Sequence, residues 1–189
     1  MLKEAGSFFI IAILFLGLCV GYIESQGGSP FALPSMPSVL PAGGDSVVGG
    51  PSLSADSINR VLVSNGSPAS GTGQSLHDLS LQYGVDDAYA LAVFRKESSY
   101  GRYGAAYYNH ALGNIICAGY YSCNGRFRSY PSWADGYADF YRLIKNEYVA
   151  HGLTTVQAIT PVYAPSSENN TALYASQVRA SLAAFRQGG

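Results

Sequence analysis

Aromatic and charged residues are crowded into the last 116 residues of this 189-residue chain. Residues 74–189 carry 14 of the 15 Tyr, the single Trp (Trp133) and 17 of the 23 charged residues. Only this segment combines enough apolar area for a core with enough charge to stay in solution, so it is expected to be the folded domain. At this size it can bury a core without metal or a disulfide framework, although one bridge helps. Twelve acidic residues against 11 Lys and Arg give a formal charge of -1. That balance lacks the basic footprint of a nucleic-acid-binding chain.

The two preceding segments follow other rules. Ser7 to Ile23, SFFIIAILFLGLCVGYI, is a 17-residue stretch without a formal charge, preceded by Lys3 and Glu4. Residues 1–23 therefore read as a signal peptide or a membrane anchor. The following GYIESQGG has no Ala-x-Ala cleavage pattern, which favours the uncleaved anchor. Leu18 stands where a lipoprotein site at Cys19 would need a small residue. Lys3 before the span and almost no charge after it point to an outward C-terminus, hence an extracytoplasmic protein, anchored or secreted. Residues 24–73 hold nine Gly and six Pro and read as a flexible linker. Within it Ala55 to Val63 (ADSINRVLV) is expected to be a transient turn of helix or short strand.

Inside residues 74–189 the periodicity is mainly helical. Ser75 and Asp78 form a capping pattern ahead of a helix that Gly84 ends. Asp86 caps DAYALAVFRKESS, whose stripe Ala90, Val93, Phe94, Glu97 follows the i, i+3, i+4, i+7 rule and ends on a carboxylate. Gly101 to Tyr130 loses helical period, and Asn124-Gly125 signals a hairpin turn, so a small β lobe is expected there. Ser132 and Asp135 open a helix running to His151-Gly152, a short helix over Thr155–Ile159 is broken by Pro161, and a last helix spans about Thr171–Arg186. Cys117 and Cys123 fit a disulfide in an oxidising compartment; free thiols or a metal site are the alternatives. His77, His110 and His151 are scattered without ligand spacing, and no dinucleotide or phosphate loop is present, so neither metal nor cofactor is expected.

Glu97 at the end of an apolar helical face would be partly desolvated, with a raised pKa suited to a general acid. The structural alternative is a helix-end glutamate paired to Arg95, Lys96 or Arg102. Four segments in series tip that balance: LAVFRKESSYG (Leu91–Gly101), NHALGNI (Asn109–Ile115), FRSYPSWADGYADFYRLI (Phe127–Ile144) and VYAPSSENN (Val162–Asn170). Over about residues 74–186 the chain resembles the bacterial endo-β-N-acetylglucosaminidases of glycoside hydrolase family 73, which cut peptidoglycan. The resemblance implies a lysozyme-like helical domain with a small β-hairpin lobe, a glutamate acid at Glu97 and a cleft tyrosine at Tyr163. It implies peptidoglycan glycan strands as the partner, at the cell wall.

The chain departs from that family's usual pattern because no Asp or Glu lies between Glu97 and Asp135. A two-carboxylate scheme needs a second group about 5 Å from the first for retention, or further for inversion. Asp135 is explained by its capping pair and Asp139 as a helix-face residue. The 2-acetamido group of N-acetylglucosamine can replace a protein nucleophile, so substrate assistance is expected, with Tyr163 orienting that group. Tyr100, Tyr103, Tyr107, Tyr108, Tyr120, Tyr121 and Tyr130 crowd the lobe and suit stacking on sugars. Tyr130 is the expected sugar contact, with Tyr174 beside Tyr163 or in the core. Asn109 and Asn114 either hold the lobe backbone or bind acetamido groups. Arg126 and Arg128 are expected on one strand face, meeting peptide-stem or lactyl carboxylates or lying solvated. A lytic transglycosylase is disfavoured because Leu112-Gly113-Asn114-Ile115 replaces its usual Gly-Leu-Met-Gln segment. A non-catalytic wall-binding module remains the alternative of another class.

Overall fold

The computed structural model describes residues 44–118 and 122–188. The anchor segment 1–23, the first part of the linker and Tyr120 and Tyr121 lie outside them. In chain order the elements are α1 (Ala55–Ser64), α2 (Gly73–Tyr83), α3 (Asp87–Ser98), α4 (Ala105–Asn109), β1 (Cys123–Asn124), β2 (Phe127–Arg128), α5 (Trp133–Leu143), α6 (Val156–Tyr163) and α7 (Thr171–Gly188). A π-helical turn, Ile144–Tyr148, and a 3-10 turn, Val149–His151, continue α5.

α3 is the central helix. Ala88 through Phe94 are all at most 2% exposed, so its apolar face extends round the whole cylinder rather than forming a stripe. Asp86 starts it as expected, its side chain accepting from the Ala88 N–H. α5 packs across it through Phe94, whose ring lies 4.8 Å from Phe140 and 5.7 Å from Tyr137. Ser132 caps α5, accepting from the Asp135 N–H while its hydroxyl donates to Asp135 Oδ2 at 2.6 Å. Gly136 allows α5 to approach the end of α4: a Cβ there would sit 2.1 Å from the His110 carbonyl oxygen.

The linker boundary needs correction. Residues 44–73, expected to be flexible, are part of the folded unit: Val47, Leu53, Ile58, Leu62 and Ala69 lie in the core. Ser54 caps α1, accepting from the Ser57 N–H, so ADSINRVLV is a fixed helix and not a transient one. The segment before α1 bridges to Val85 and Thr155. It is clamped by two adjacent carboxylates. Asp87 Oδ1 accepts from the N–H groups of Ser52 and Leu53 at 2.9 and 3.2 Å, and Asp86 Oδ2 accepts from the Ser52 hydroxyl at 2.6 Å. Arg186 of α7 bonds Asp86 and donates to the carbonyls of Gly44 and Ser46. Glycine and proline averaged over 50 residues concealed a short amphipathic helix whose few apolar residues are completed by the rest of the domain.

Smaller differences follow local chemistry. α2 starts at Gly73, two residues before the expected cap, and Asp78 accepts from Gln74 instead of pairing with Ser75. α6 runs through Pro161 to Tyr163. Thr155 caps it as a true N-terminus, and the carbonyl that Pro161 leaves unpaired belongs to exposed Gln157. The hairpin turn is Gly125-Arg126, one residue later than expected, with Asn124 paired to Phe127. Arg126 therefore sits in the turn and shares no strand face with Arg128. Cys117 and Cys123 form a disulfide at the base of this lobe, with Cα atoms 5.9 Å apart.

Candidate active site

Glu97 occupies the last turn of the most buried helix, where the chain leaves the core. Ser99 and Tyr100 immediately after it adopt left-handed φ values of 49° and 60°, and Asn114 opposite has φ 46°. Such non-glycine conformations cost of order 1–3 kcal/mol each and gather at functional sites. Here they turn the chain sharply so that the Glu97 carboxylate is left at the helix end. Asn114 Nδ2 donates to the Glu97 carbonyl at 3.0 Å, and the Ser98 hydroxyl donates to the Leu112 carbonyl at 2.8 Å. The segment 112–114 thus fixes the backbone of the acid from outside its own helix.

The side chain is held from the other direction. Tyr174, on the first turn of α7, donates its hydroxyl to Glu97 Oε1 at 2.6 Å. Burial raises the Glu97 pKa, while the Tyr174 hydrogen bond and the Lys96 charge oppose that rise without cancelling it. Burial, and after it the neighbouring Tyr163 and Glu97, push the Tyr174 phenol far above the usual value. It therefore remains a donor to Oε1 at any working pH, leaving Oε2 as the oxygen able to carry and deliver a proton.

Tyr163 ends α6 and lies against Tyr174 and Tyr148, with ring centroids 6.4 and 6.1 Å away. Its hydroxyl donates to the Gly113 carbonyl at 2.9 Å. A carbonyl only accepts, so the Tyr163 proton is committed and its oxygen keeps lone pairs for an incoming N–H. Burial and the nearby Glu97 carboxylate raise this phenol well above its usual value. A Cβ on Gly113 would lie 3.0 Å from Phe140 Cδ2, close enough that the ring would have to shift by a few tenths of an ångström.

Of the eight side chains read from the sequence as catalytic or substrate-binding, Glu97, Asn114, Tyr163 and Tyr174 converge. The other four do not join them. Asn109 is fully buried; its Oδ1 accepts from Asn124 Nδ2 at 2.9 Å and its carbonyl accepts from the Tyr130 N–H, so it holds the lobe. Tyr130 is only 6% exposed and donates its hydroxyl to Asp139 Oδ2 at 2.6 Å, which removes it as a stacking face. Arg128 pairs with the same Asp139 oxygen at 2.7 Å and is nearly buried, so it is not presented to an external carboxylate. Arg126 is exposed at the hairpin turn, 3.6 Å from Glu168 and over the Phe127 ring. Among the described residues, the exposed tyrosines of this region are instead Tyr103, Tyr107 and Tyr108, while Tyr100 is buried.

The sequence reading missed three contributors. Tyr148, read from its spacing only as an inward-facing residue of the helix that Ser132 opens, stands beside Tyr163 at the end of the π turn after α5. Gly113 acts through its backbone, and Ser98 through a tertiary hydrogen bond. Neither Asp135, tied to Ser132, nor Asp139, bound by Arg128, Tyr130 and Arg142, is a carboxylate of the Glu97 cluster. Among the described residues no group of three or more His, Cys, Asp and Glu side chains is placed to hold a metal ion.

No family model matches the chain, and no curated protein matches it. Among solved structures it is similar to Staphylococcus aureus autolysin E in complex with the muropeptide NAM-L-Ala-D-iGlu, at TM-score 0.55 and 12% identity over 76% of this chain and 72% of that one. A catalytic mutant of the same autolysin, glutamate replaced by alanine, in complex with the disaccharide NAG-NAM gives TM-score 0.54 and 11% identity over 76% and 72%. Autolysin E without a named ligand gives 0.53 and 14% over 76% and 71%. At these identities the likeness establishes a shared fold, which is the mainly helical domain with a two-stranded lobe described above.

Proposed function

We propose that this protein is a peptidoglycan glycoside hydrolase that cleaves the β-1,4 bond after N-acetylglucosamine. The observation that carries the proposal is the Glu97 carboxyl, pinned through Oε1 by Tyr174 at the end of the buried helix α3 and raised in pKa by burial. The fold shared with an autolysin whose complexes contain a muropeptide and the NAG-NAM disaccharide supports the substrate class. Protonated Glu97 donates to the glycosidic oxygen as the bond to the anomeric carbon breaks. The acetamido carbonyl oxygen attacks that carbon, its N–H accepted by the Tyr163 oxygen, and an oxazolinium forms. Water activated by the Glu97 carboxylate opens it and restores the acid.

The occupied states of Asp135 and Asp139 favour this substrate-assisted route over a carboxylate pair. The Cys117–Cys123 disulfide and the apolar segment at residues 7–23 support an extracytoplasmic site of action at the wall, with that segment as its membrane anchor. The test is to incubate the full-length chain with purified peptidoglycan, beside the Glu97→Gln variant, and identify new glycan ends by mass spectrometry. Reducing N-acetylglucosamine ends that disappear in the variant are expected. Anhydro-muramic ends would make the protein a lytic transglycosylase, and wall binding without new ends would make it a binding module. For Tyr163, normal turnover by Tyr163→Phe and normal cleavage of a substrate lacking the acetamido carbonyl would together overturn substrate assistance.

A further inference from the structure

A groove of about 410 Å³ runs along the seam between α3 and α7, lined by Arg95, Lys96, Gln177, Ala180 and Ser181. It begins where the acid site ends. Lys96 Nζ lies 5.7 Å from the centre of the Tyr174 ring, the same ring whose hydroxyl holds Glu97. Tyr174, Gln177 and Ser181 follow one another along one face of α7, and Arg95 meets the far end by donating to the Ser181 hydroxyl at 3.4 Å. Among the described residues neither Arg95 nor Lys96 forms a salt bridge with a carboxylate, whereas Arg126, Arg128, Arg142, Arg179 and Arg186 each do. The groove thus offers a guanidinium, an ammonium, an amide and a hydroxyl with no acidic residue in its wall. That chemistry suits an anion on a short polar chain.

We propose that this groove binds a free carboxylate of the peptide stem carried by the muramic acid next to the scissile bond. The proposal rests on the peptidoglycan reading above and assigns to Arg95 and Lys96 the recognition that the sequence had suggested for Arg126 and Arg128. Reach supports the stem over the sugar's own lactyl group. Seven residues of helix separate Tyr174 from Ser181, about 10 Å at the helical rise, which matches about three residues of extended peptide. The groove meets a carboxylate part-way along the stem while the sugar occupies the Glu97 end.

The full-length chain is compared on stem-bearing peptidoglycan and on glycan strands whose stems an amidase has removed. Arg95→Gln, and separately Gln177→Glu on exposed α7 surface, are expected to raise KM about tenfold on the stem-bearing polymer and leave the stripped strands unaffected. Equal losses on both polymers, or no loss on either, overturn the proposal. If the unsubstituted chain cuts neither polymer, the glycosidase reading has failed, and binding decides the groove independently. N-acetylmuramyl-L-Ala-D-isoglutamate is titrated against its fully amidated counterpart with NMR detection of the Gln177 and Ser181 amides. Shifts with the acid alone, lost in Gln177→Glu, support the stem site. Equal shifts with both ligands, shifts with inorganic phosphate as large as with the acid, or none at all overturn it.

Discussion

Asp139 and Glu97 are both carboxylates near the heart of this domain, and their surroundings differ sharply. Asp139 is 2% exposed and accepts from Arg128, Arg142 and Tyr130 at 2.6–2.7 Å, two of those donors being cations. Among the described residues, Glu97 has one neutral side-chain donor, Tyr174, which bonds one of its two oxygens. A carboxylate surrounded by cations is stabilised as an anion and ties its partners together; one held by a single phenol in a desolvated place keeps its proton more readily. The difference teaches how one chain separates acids that serve as ion-pair struts from one that holds its proton more readily: by how completely the charge is answered, not by depth alone.

The largest effect that would break this contrast is at Glu97 itself. Glu97→Gln is expected to lower kcat on peptidoglycan by about 10²–10⁴-fold. Because a carboxyl with a raised pKa costs the folded state stability once it ionises, the same variant is expected to melt no lower than the unsubstituted chain at neutral pH. A large drop in Tm would mean that Glu97 is a strut after all. Asp139→Ala should behave oppositely. Leaving Arg128 and Arg142 facing an empty site is expected to cost about 3–5 kcal/mol, lowering Tm by roughly ten degrees or more in a thermal melt.

Tyr174→Phe sharpens the comparison by removing the one donor on Glu97. The hydrogen bond lowers the Glu97 pKa, so its loss raises that pKa further, and the alkaline limb of the pH–rate profile should move to higher pH. The plateau rate should fall by less than the roughly 10²-fold minimum expected for losing the acid. An unmoved limb would exclude Glu97 as the group that titrates there. The smallest effect belongs to Asp87, a third kind of carboxylate. Its Oδ1 accepts two backbone N–H groups, yet its Oδ2 has no hydrogen-bond partner and lies 3.6 Å from His77 Nδ1. Burial, followed by the neighbouring Asp86 carboxyl, pushes it up to about 6. A folded pKa above the unfolded one means that ionised Asp87 costs stability above about pH 6, a cost that fades as pH falls below that value. Asp87→Asn keeps an oxygen for Ser52 and Leu53, so Tm at pH 7.5 should hold or rise slightly, and its dependence on pH between 4 and 7 should flatten.

Much of the fold was legible because its signals are local. The caps Asp86 and Ser132, the apolar periodicity within α3 and the hairpin cue at Asn124-Gly125 each act over a few residues, and each leads to the element found, the turn shifted by one residue. Residues 44–73 were misread because composition is an average: Ile58 and Leu62 are two residues in a glycine- and proline-rich stretch, and they matter only because α2 receives them. Pro161 was read as a break because its steric rule is local too, whereas Thr155 had already started the helix six residues earlier. At the site, Glu97, Asn114, Tyr163 and Tyr174 were legible as residue types at telling positions. Tyr130, Asn109 and Arg128 had the same credentials and became the frame of the lobe.

The sequence by itself determined where α3 and α5 start, that Glu97 sits in the last turn of its helix and which side chains carry proton-donating or hydrogen-bonding groups. It did so because helix period, capping and side-chain functional groups are properties of short stretches of chain. Only the tertiary structure decided which acid is answered by cations and which by a phenol, which tyrosine donates to Glu97 and which arginines remain without a carboxylate. Those outcomes depend on groups 9 to 100 residues apart in the chain, such as Tyr130 with Asp139, Tyr174 with Glu97 and Arg186 with Asp86. Burial and charge pairing are set by what the fold brings within a few ångströms, and a linear pattern carries no record of that distance.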